Sequence, residues 1–356
     1  MNELIGRSEL APMVFGNNAP DSGNAELLAI AFETVANDDL RKTWLDPLLA
    51  GVLRSAFCMT EPGAGSDPTL LATTAELVDG YWVVNGSKWF SSNASASDFL
   101  IVMAVTDPDA APHERCSMIL VPTTTPGVDV VRDIPTMDDP EPVFGALGNH
   151  SEVRFTEVRV PESSLLGHRG RGFELAQARL GPGRLHHCMR WVGQAQRALD
   201  MMCERAVSRR VSGGMLAEKQ TVQNWIADSR AELAAMRLMT MHAAWTVDRF
   251  GAKAARDEIA MIKFFGAPLL HRILDRAIQV HGALGFSGDL PLEHMYRAAR
   301  AAHLYDGPDE VHRVAVARRT LRAIAPVEVP SEHIPTRRAA AMSRYGLAAP
   351  ETDGVR

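Results

Sequence analysis

Glu152-Val153-Arg154-Phe155-Thr156-Glu157-Val158-Arg159-Val160 runs through Pro161-Glu162-Ser163-Ser164-Leu165-Leu166-Gly167 and then, past Gly172, into Phe173-Glu174-Leu175-Ala176-Gln177-Ala178-Arg179-Leu180. The first part alternates like a strand, and the last spaces its apolar residues like a helix. The hydrophobic period thus changes from two to 3.6 here, and two differently built regions meet.

From about Phe57 to Gly167 the signals are those of strands. Apolar runs lie at Ala75–Val84, Phe99–Thr106, Cys116–Val121, Val128–Ile134 and Glu152–Val160, separated by Asp79-Gly80, Asn85-Gly86, Asp107-Pro108 and Pro126-Gly127. Ala72–Val78 and Tyr81–Val84 around Asp79-Gly80 read as a hairpin. Downstream, helical patterns at about 172–207, 217–250, 253–284 and 293–323 predict an antiparallel four-helix bundle. Residues 1–50 read as helical pieces, Ala25–Ala36 and Asp38–Leu49, with Asp21-Ser22-Gly23-Asn24 as a capping break before the first. The tail from Pro326, rich in Pro, Arg and Ala, is expected to fray. The expected domains are a helical segment at 1–54, a β domain at 55–170, a bundle at 171–325 and a tail at 326–356.

Composition narrows the class. The 356 residues give room for two or three domains at roughly 150 residues each. Hydrophobic residues at 46% and charged ones at 22% fit a globular protein. The longest apolar run, Phe99–Val105, falls short of the roughly 18 residues a membrane span needs. No charged-then-apolar leader opens the chain, so a cytoplasmic location without a membrane span is expected. A net charge of −6 argues against nucleic acid as a partner. Cys58, Cys116, Cys188 and Cys203 have neither CxxC spacing nor the density of a disulfide scaffold.

Four stretches could carry chemistry, and each also has a structural reading. Cys58-Met59-Thr60-Glu61-Pro62-Gly63-Ala64-Gly65-Ser66-Asp67 is a Gly-rich loop whose backbone could approach a phosphate or a ring, yet a bare Gly-x-Gly is often only a turn. It has no Walker lysine and no βαβ context. In Gly86-Ser87-Lys88-Trp89-Phe90-Ser91-Ser92-Asn93, Trp89 could stack on a planar cofactor or be a half-buried strand residue. Gln279-Val280-His281-Gly282-Ala283 reads as a helix end capped by glycine, with His281 satisfied or solvated. In Tyr305-Asp306-Gly307-Pro308-Asp309-Glu310-Val311-His312-Arg313, Asp306 could be an N-cap and Asp309 and Glu310 first-turn acids. His186-His187-Cys188 is not a metal site by its spacing, since adjacent helical residues point about 100° apart. Met236, Met239 and Met241 read as core or interface filler.

Taken in order, Thr-Glu-Pro-Gly-x-Gly-Ser-Asp at 60–67, Lys88-Trp89, Gln279 to Phe286 and Tyr305-Asp306-Gly307-Pro308-Asp309-Glu310 resemble the acyl-CoA dehydrogenase family from about residue 12 to 322. Phe15–Asn24, Arg179–Arg190 and Asp306–His312 look like its subgroup associated with long, branched or 4-hydroxylated acyl-CoA. The resemblance implies a multi-domain α and β fold with a shortened N-terminal helical segment, a middle β-barrel-like domain and a C-terminal antiparallel four-helix bundle. It implies FAD as cofactor, an acyl-CoA substrate, an electron-transfer flavoprotein as acceptor, a role in fatty acid metabolism, and a homo-oligomer, dimer or tetramer, whose FAD sites cross subunits.

Residue by residue, Phe57, Met59, Thr60, Gly65, Ser66, Trp89 and Ser91 match the loop and strand that meet the flavin. Arg209 and Gln220 match positions reaching a neighbour's FAD, Gln279, Gly282 and Ala283 match the bundle's pyrophosphate contact, and Pro308 and Glu310 complete the cofactor set. Ser66, Arg184 and Gly307 match substrate contacts, and Asp306 stands where most members carry a glutamate base. The implied reaction is α,β-desaturation: Asp306 removes the α-proton, hydrogen bonds hold the enolate, and the β-hydrogen leaves as hydride to flavin N5. Three departures stand out: the first helical segment is short, Ser212 replaces an aromatic, and aspartate replaces glutamate as the base. They keep other readings open, namely 4-phosphoacyl-CoA processing, a nitroalkane-oxidase-like enzyme, and a non-catalytic paralogue.

Overall fold

The computed structural model describes residues 1–35, 37–324 and 342–347. Five short helices open the chain: α1 (Asn2–Gly6), α2 (Ala11–Val14), α3 (Asp21–Thr34), α4 (Asp38–Leu40) and α5 (Asp46–Leu49), with a π-helical turn at Arg41–Leu45 between the last two. Asp21-Ser22-Gly23-Asn24, expected as a break, is instead the first turn of α3. Its polar groups dock the helix on the first strand. Asp21 Oδ1 accepts from the Ser55 N–H at 2.8 Å and the Ser55 hydroxyl at 2.7 Å, and Asn24 donates to Ser55 Oγ at 2.9 Å.

The strands are β1 (Ser55–Cys58), β2 (Thr74–Val78), β3 (Tyr81–Ser92), β4 (Phe99–Val105), β5 (Cys116–Pro122), β6 (Val128–Asp133), β7 (His150–Pro161) and β8 (Leu165–Leu166). They form one eight-stranded sheet in the order β6-β7-β3-β2-β4-β5-β8, with β1 parallel to β4. The expected hairpin is present: Asp79 and Gly80 take φ of 52° and 77° and join β2 to β3. Between Lys88 and Ser91 the register of β3 on β7 slips by one residue, a bulge that takes Trp89 and Phe90 out of the ladder.

Next come α6 (Gly172–Ser208), the small hairpin β9 (Arg210–Val211) and β10 (Gly214–Met215), α7 (Gln220–Phe250), α8 (Arg256–His281), α9 (Ala283–Phe286), α10 (Leu292–Ala299) and α11 (Asp309–Arg322). The helix expected over 293–323 is therefore not continuous. A 3₁₀ turn at Arg300–His303 follows α10, and 304–308 is non-helical. Asp306 and Gly307 hold φ of 55° and 94°, and Pro308 has no N–H to offer a preceding turn.

Three apolar clusters hold these pieces. Alternate residues of β4 sort to the two faces of the sheet, as the pleat requires. Phe99, Ile101 and Met103 pack with Leu27, Leu28, Met118 and Cys116, whereas Leu100 and Val102 pack with Trp82, Val153 and Cys58. The third cluster joins α6, α7 and α8 through Trp191, Leu233, Met236, Leu270 and Cys188. Met236 is core, Met239 packs against it, and Met241 is exposed. All four cysteines are free.

By contacts the chain falls into two units, Met1–Arg313 and Val314–Arg356. The second holds the end of α11 and, among the described residues, a helical turn at 342–344. The expected tail at 326–356 lies outside the described residues apart from 342–347. No helix among the described residues is long and apolar enough to cross a membrane.

Candidate active site

The interruption between α10 and α11 carries Asp306, and its backbone is tied down through one atom. The Asp306 carbonyl accepts from Arg184 Nε at 2.9 Å and from His312 Nε2 at 3.1 Å. Burial, with the Arg184 charge nearby, pulls His312 down to about 4, so it is a neutral donor. The Asp306 N–H has no acceptor among the described residues. Gly307 is required here, because a Cβ would stand 2.9 Å from His312 Nε2 and its φ is left-handed. The preceding Tyr305 hydroxyl accepts from Trp191 Nε1 at 2.8 Å, and Lys263 lies over both rings at 5.4 Å while donating to the Ala302 carbonyl.

Helix α6 supplies the wall facing the carboxylate. His187 Nε2 lies 3.5 Å from Asp306 Oδ2, with 21% and 16% of the two side chains exposed. Arg190 donates to His187 Nδ1 at 2.9 Å and also to the Asn17 carbonyl at 3.1 Å. Arginine cannot accept, so the His187 proton sits on Nε2, the nitrogen 3.5 Å from the carboxylate. Burial, reinforced by Arg190, outweighs the pull of Asp306 and lowers His187 to about 3. A Cβ on Gly183 would come 4.0 Å from Asp306 Oδ2, so the backbone beside that carboxylate is bare. Arg179 crosses to the sheet. Its guanidinium lies over the Phe57 ring at 4.1 Å, and its Nε donates to Asn24 Oδ1 at 2.9 Å.

A second group forms around the Gly-rich loop. Glu61 accepts from the N–H groups of Ala72 at 2.7 Å and Thr73 at 3.0 Å, and from Lys88 Nζ at 2.7 Å. Lys88 is fully buried and also donates to the Met59 carbonyl at 3.0 Å, while the Trp89 N–H donates to the Thr60 carbonyl at 3.0 Å. These bonds lash the loop to the bulge of β3. Burial lowers the Lys88 pKa; it also works to raise that of Glu61, but Lys88 and the Thr73 and Ala72 hydrogen bonds together lower it. Ser66 is exposed, and Met59, Thr60 and Trp89 are half-buried. Ser91 is fully buried, and its hydroxyl has no hydrogen-bond partner.

The chain itself does not need glycine at 63 or 65. Neither has a left-handed φ, and a Cβ at either would meet nothing within 4 Å. Bare backbone with open space beside a half-buried tryptophan fits a planar, phosphate-bearing group. Arg209, Gln220, Gln279, Gly282 and Ala283 are exposed, and among the described residues no hydrogen bond or ion pair joins them to Asp306 or the Gly-rich loop. Pro308 is half-buried, and Glu310 is exposed on the first turn of α11. His281 is buried and bonded to the Ala277 carbonyl at 2.8 Å, as expected of a satisfied histidine. Sequence reading missed Glu61, Lys88, Arg179, His187 and Lys263 as site residues. Glu61 and Lys88 lie within the motifs at 58–67 and 86–93, but nothing local pairs them.

Comparison with known proteins places the chain among relatives of one kind. The family model for the acyl-CoA dehydrogenase middle domain matches residues 56–157, and the one for the C-terminal domain matches 170–321. The Mycobacterium tuberculosis protein named "Probable acyl-CoA dehydrogenase FadE2" is 47% identical over 325 residues, 90% of this chain and 77% of that protein. Mouse acyl-CoA dehydrogenase family member 11 is 46% identical over 90% of this chain, which spans only 41% of that relative's length. A solved Mycobacterium abscessus structure assigned to the acyl-CoA dehydrogenases superposes with a TM-score of 0.84 at 42% identity, over 91% of this chain and 78% of that one.

Proposed function

Because this chain belongs to the acyl-CoA dehydrogenase family, we propose that it is an FAD-dependent acyl-CoA dehydrogenase that desaturates an acyl-CoA thioester with Asp306 as the base. The observation that carries the reading is the Asp306 turn. Its carbonyl is taken by two donors, its N–H is unclaimed, and its carboxylate faces a neutral imidazole and a bare Gly183.

An α-proton beside a thioester is a weak acid, and its removal leaves charge on the carbonyl oxygen. The free Asp306 N–H is suited to meet that charge, while the carboxylate takes the proton. Arg184 and His312 hold the backbone so that both groups belong to one rigid unit. Ser66, Arg184 and Gly307 are the proposed substrate contacts. Phe57, Met59, Thr60, Gly65, Ser66, Trp89 and Ser91, with Pro308 and Glu310, would hold FAD on one chain. Arg209, Gln220, Gln279, Gly282 and Ala283, exposed here, would reach the FAD of a second copy, which motivates a homo-oligomer. FAD bound there would supply the two-electron acceptor, and an electron-transfer flavoprotein would take the electrons onward.

Anaerobic titration of the flavin-loaded protein with acyl-CoA esters tests the reading. Bleaching is expected, and Asp306→Asn should abolish it with FAD still bound; a fully active Asp306→Asn variant would refute the assignment of the base. Phosphate release without bleaching would favour 4-phosphoacyl-CoA processing instead.

A further inference from the structure

Behind the Asp306 turn lies a chain of three ionisable side chains that none of the chemistry above uses. Asp309, the first residue of α11, is 4% exposed. Its Oδ2 accepts from His303 Nδ1 at 2.6 Å, while its Oδ1 is buried without a hydrogen-bond partner. His303 ends the 3₁₀ turn at Arg300–His303, and its Nε2 lies 2.9 Å from Nδ1 of His271 on α8, with the two rings stacked at 5.0 Å. Arg313 approaches Asp309 Oδ2 at 3.7 Å.

The geometry of this chain is that of a clasp. His303 and Asp309 stand at the two ends of the non-helical stretch 304–308, and their short bond closes it into a tight loop with Asp306 inside. His271 fixes the closed loop to α8, and Lys263 on the same helix holds the Ala302 carbonyl at its start. A buried carboxylate with one oxygen unpartnered is costly unless its surroundings oblige it to stay. A left-handed aspartate also costs about 1 kcal/mol or more and persists only where its neighbours over-determine it.

We propose that Asp309, His303 and His271 are positioning residues for Asp306: the clasp sets where its carboxylate and N–H stand relative to the α6 wall. The inference rests on Asp306 being the base. It predicts a loss of rate without a loss of binding, because no member of the clasp lines the face of Asp306 turned to Gly183 and His187.

The test compares Asp309→Ala, Asp309→Asn and His271→Ala with wild type in the flavin-loaded protein. The readouts are the flavin bleaching rate at saturating acyl-CoA, the acyl-CoA Kd and the FAD content. Displacement of the base by about 1 Å corresponds to a rate loss of about 100-fold. Asp309→Ala should lose about that much, with Kd and FAD content within about threefold. Asn keeps an acceptor for His303, so Asp309→Asn should recover to within about tenfold of wild type. Unchanged rates in both Asp309 variants, or equal losses of rate, affinity and FAD in both, would overturn the clasp. Amide exchange over 304–309 needs no substrate. It should speed up in His271→Ala and Asp309→Ala while α6 stays protected, and equal protection in all three proteins would also overturn it. A wild type that never bleaches, with exchange still faster in the two alanine variants, would refute the proposed function and leave the clasp standing only as a restraint on the Asp306 turn.

Discussion

His187 Nε2 stands 3.5 Å from Asp306 Oδ2, and the bond from Arg190 to Nδ1 makes that imidazole a neutral donor. A neutral histidine can orient the carboxylate without giving it a proton. His187→Phe should therefore lower kcat by about 10–100-fold with KM within about threefold, since misplacing a catalytic group by about 1 Å costs this much. His187→Gln, which keeps a donor, should recover most of it. Steady-state kinetics of both variants decide the point, and identical losses in Phe and Gln would remove the donor from the argument.

The same histidine makes stability depend on pH. Folded, it titrates at about 3, against 6.5 for the free side chain, so between those values the unfolded state binds the extra proton. Its contribution is complete above the unfolded value and is lost as pH falls, by about 1.4 kcal/mol per unit for one group. His312, lowered to about 4, acts in the same direction. Denaturant melts at pH 7 and pH 5 should show His187→Phe losing about 2 kcal/mol less than wild type on acidification. Parallel losses in the two proteins would contradict the assignment.

Glu61 and Lys88 form a buried pair that anchors the Gly-rich loop. Glu61→Gln strands a buried ammonium and should cost about 3–5 kcal/mol, moderated if Lys88 sheds its proton. The Glu61→Gln/Lys88→Met double variant, whose glutamine oxygen can still accept from the Ala72 or Thr73 N–H, should be less destabilised than the sum of the two single changes. Chemical denaturation measures both, and an additive double variant would argue against the pairing.

Ser212 sits exposed at the tip of the β9–β10 hairpin, its carbonyl bound by Lys219 Nζ at 2.9 Å. An aromatic there would add a stacking surface worth about 0.5–1.5 kcal/mol. Ser212→Phe should therefore retain FAD up to about tenfold more tightly, read from flavin absorbance after gel filtration. No change in retention would mean that the hairpin does not meet a neighbour's cofactor.

Local signals gave most of the secondary structure. Asp79-Gly80 named its own hairpin, and the continuous apolar run Phe99–Val105 emerged as a fully buried strand. The fourth long helix misled because apolar spacing carried through 293–323, whereas the left-handed backbone at Asp306 and Gly307 depends on Arg184 and His312 holding the Asp306 carbonyl. Contacts such as His187 to Asp306, or Arg179 over Phe57, join residues far apart in the chain and need the fold before they can be seen. Glu61 and Lys88 lie in separate motifs, and their pairing depends on the loop folding back across the β3 bulge.

The three apolar clusters each enclose one buried thiol: Cys188 among the long helices, Cys116 on one face of the sheet and Cys58 on the other. Burial pushes Cys58 up to about 11 and raises Cys116 and Cys188 as well, so in the folded chain none offers a thiolate to a reagent. Each becomes reactive only when its own surroundings open. Pulsed alkylation followed by peptide mass analysis would thus time the disassembly of the three regions separately, with no introduced label.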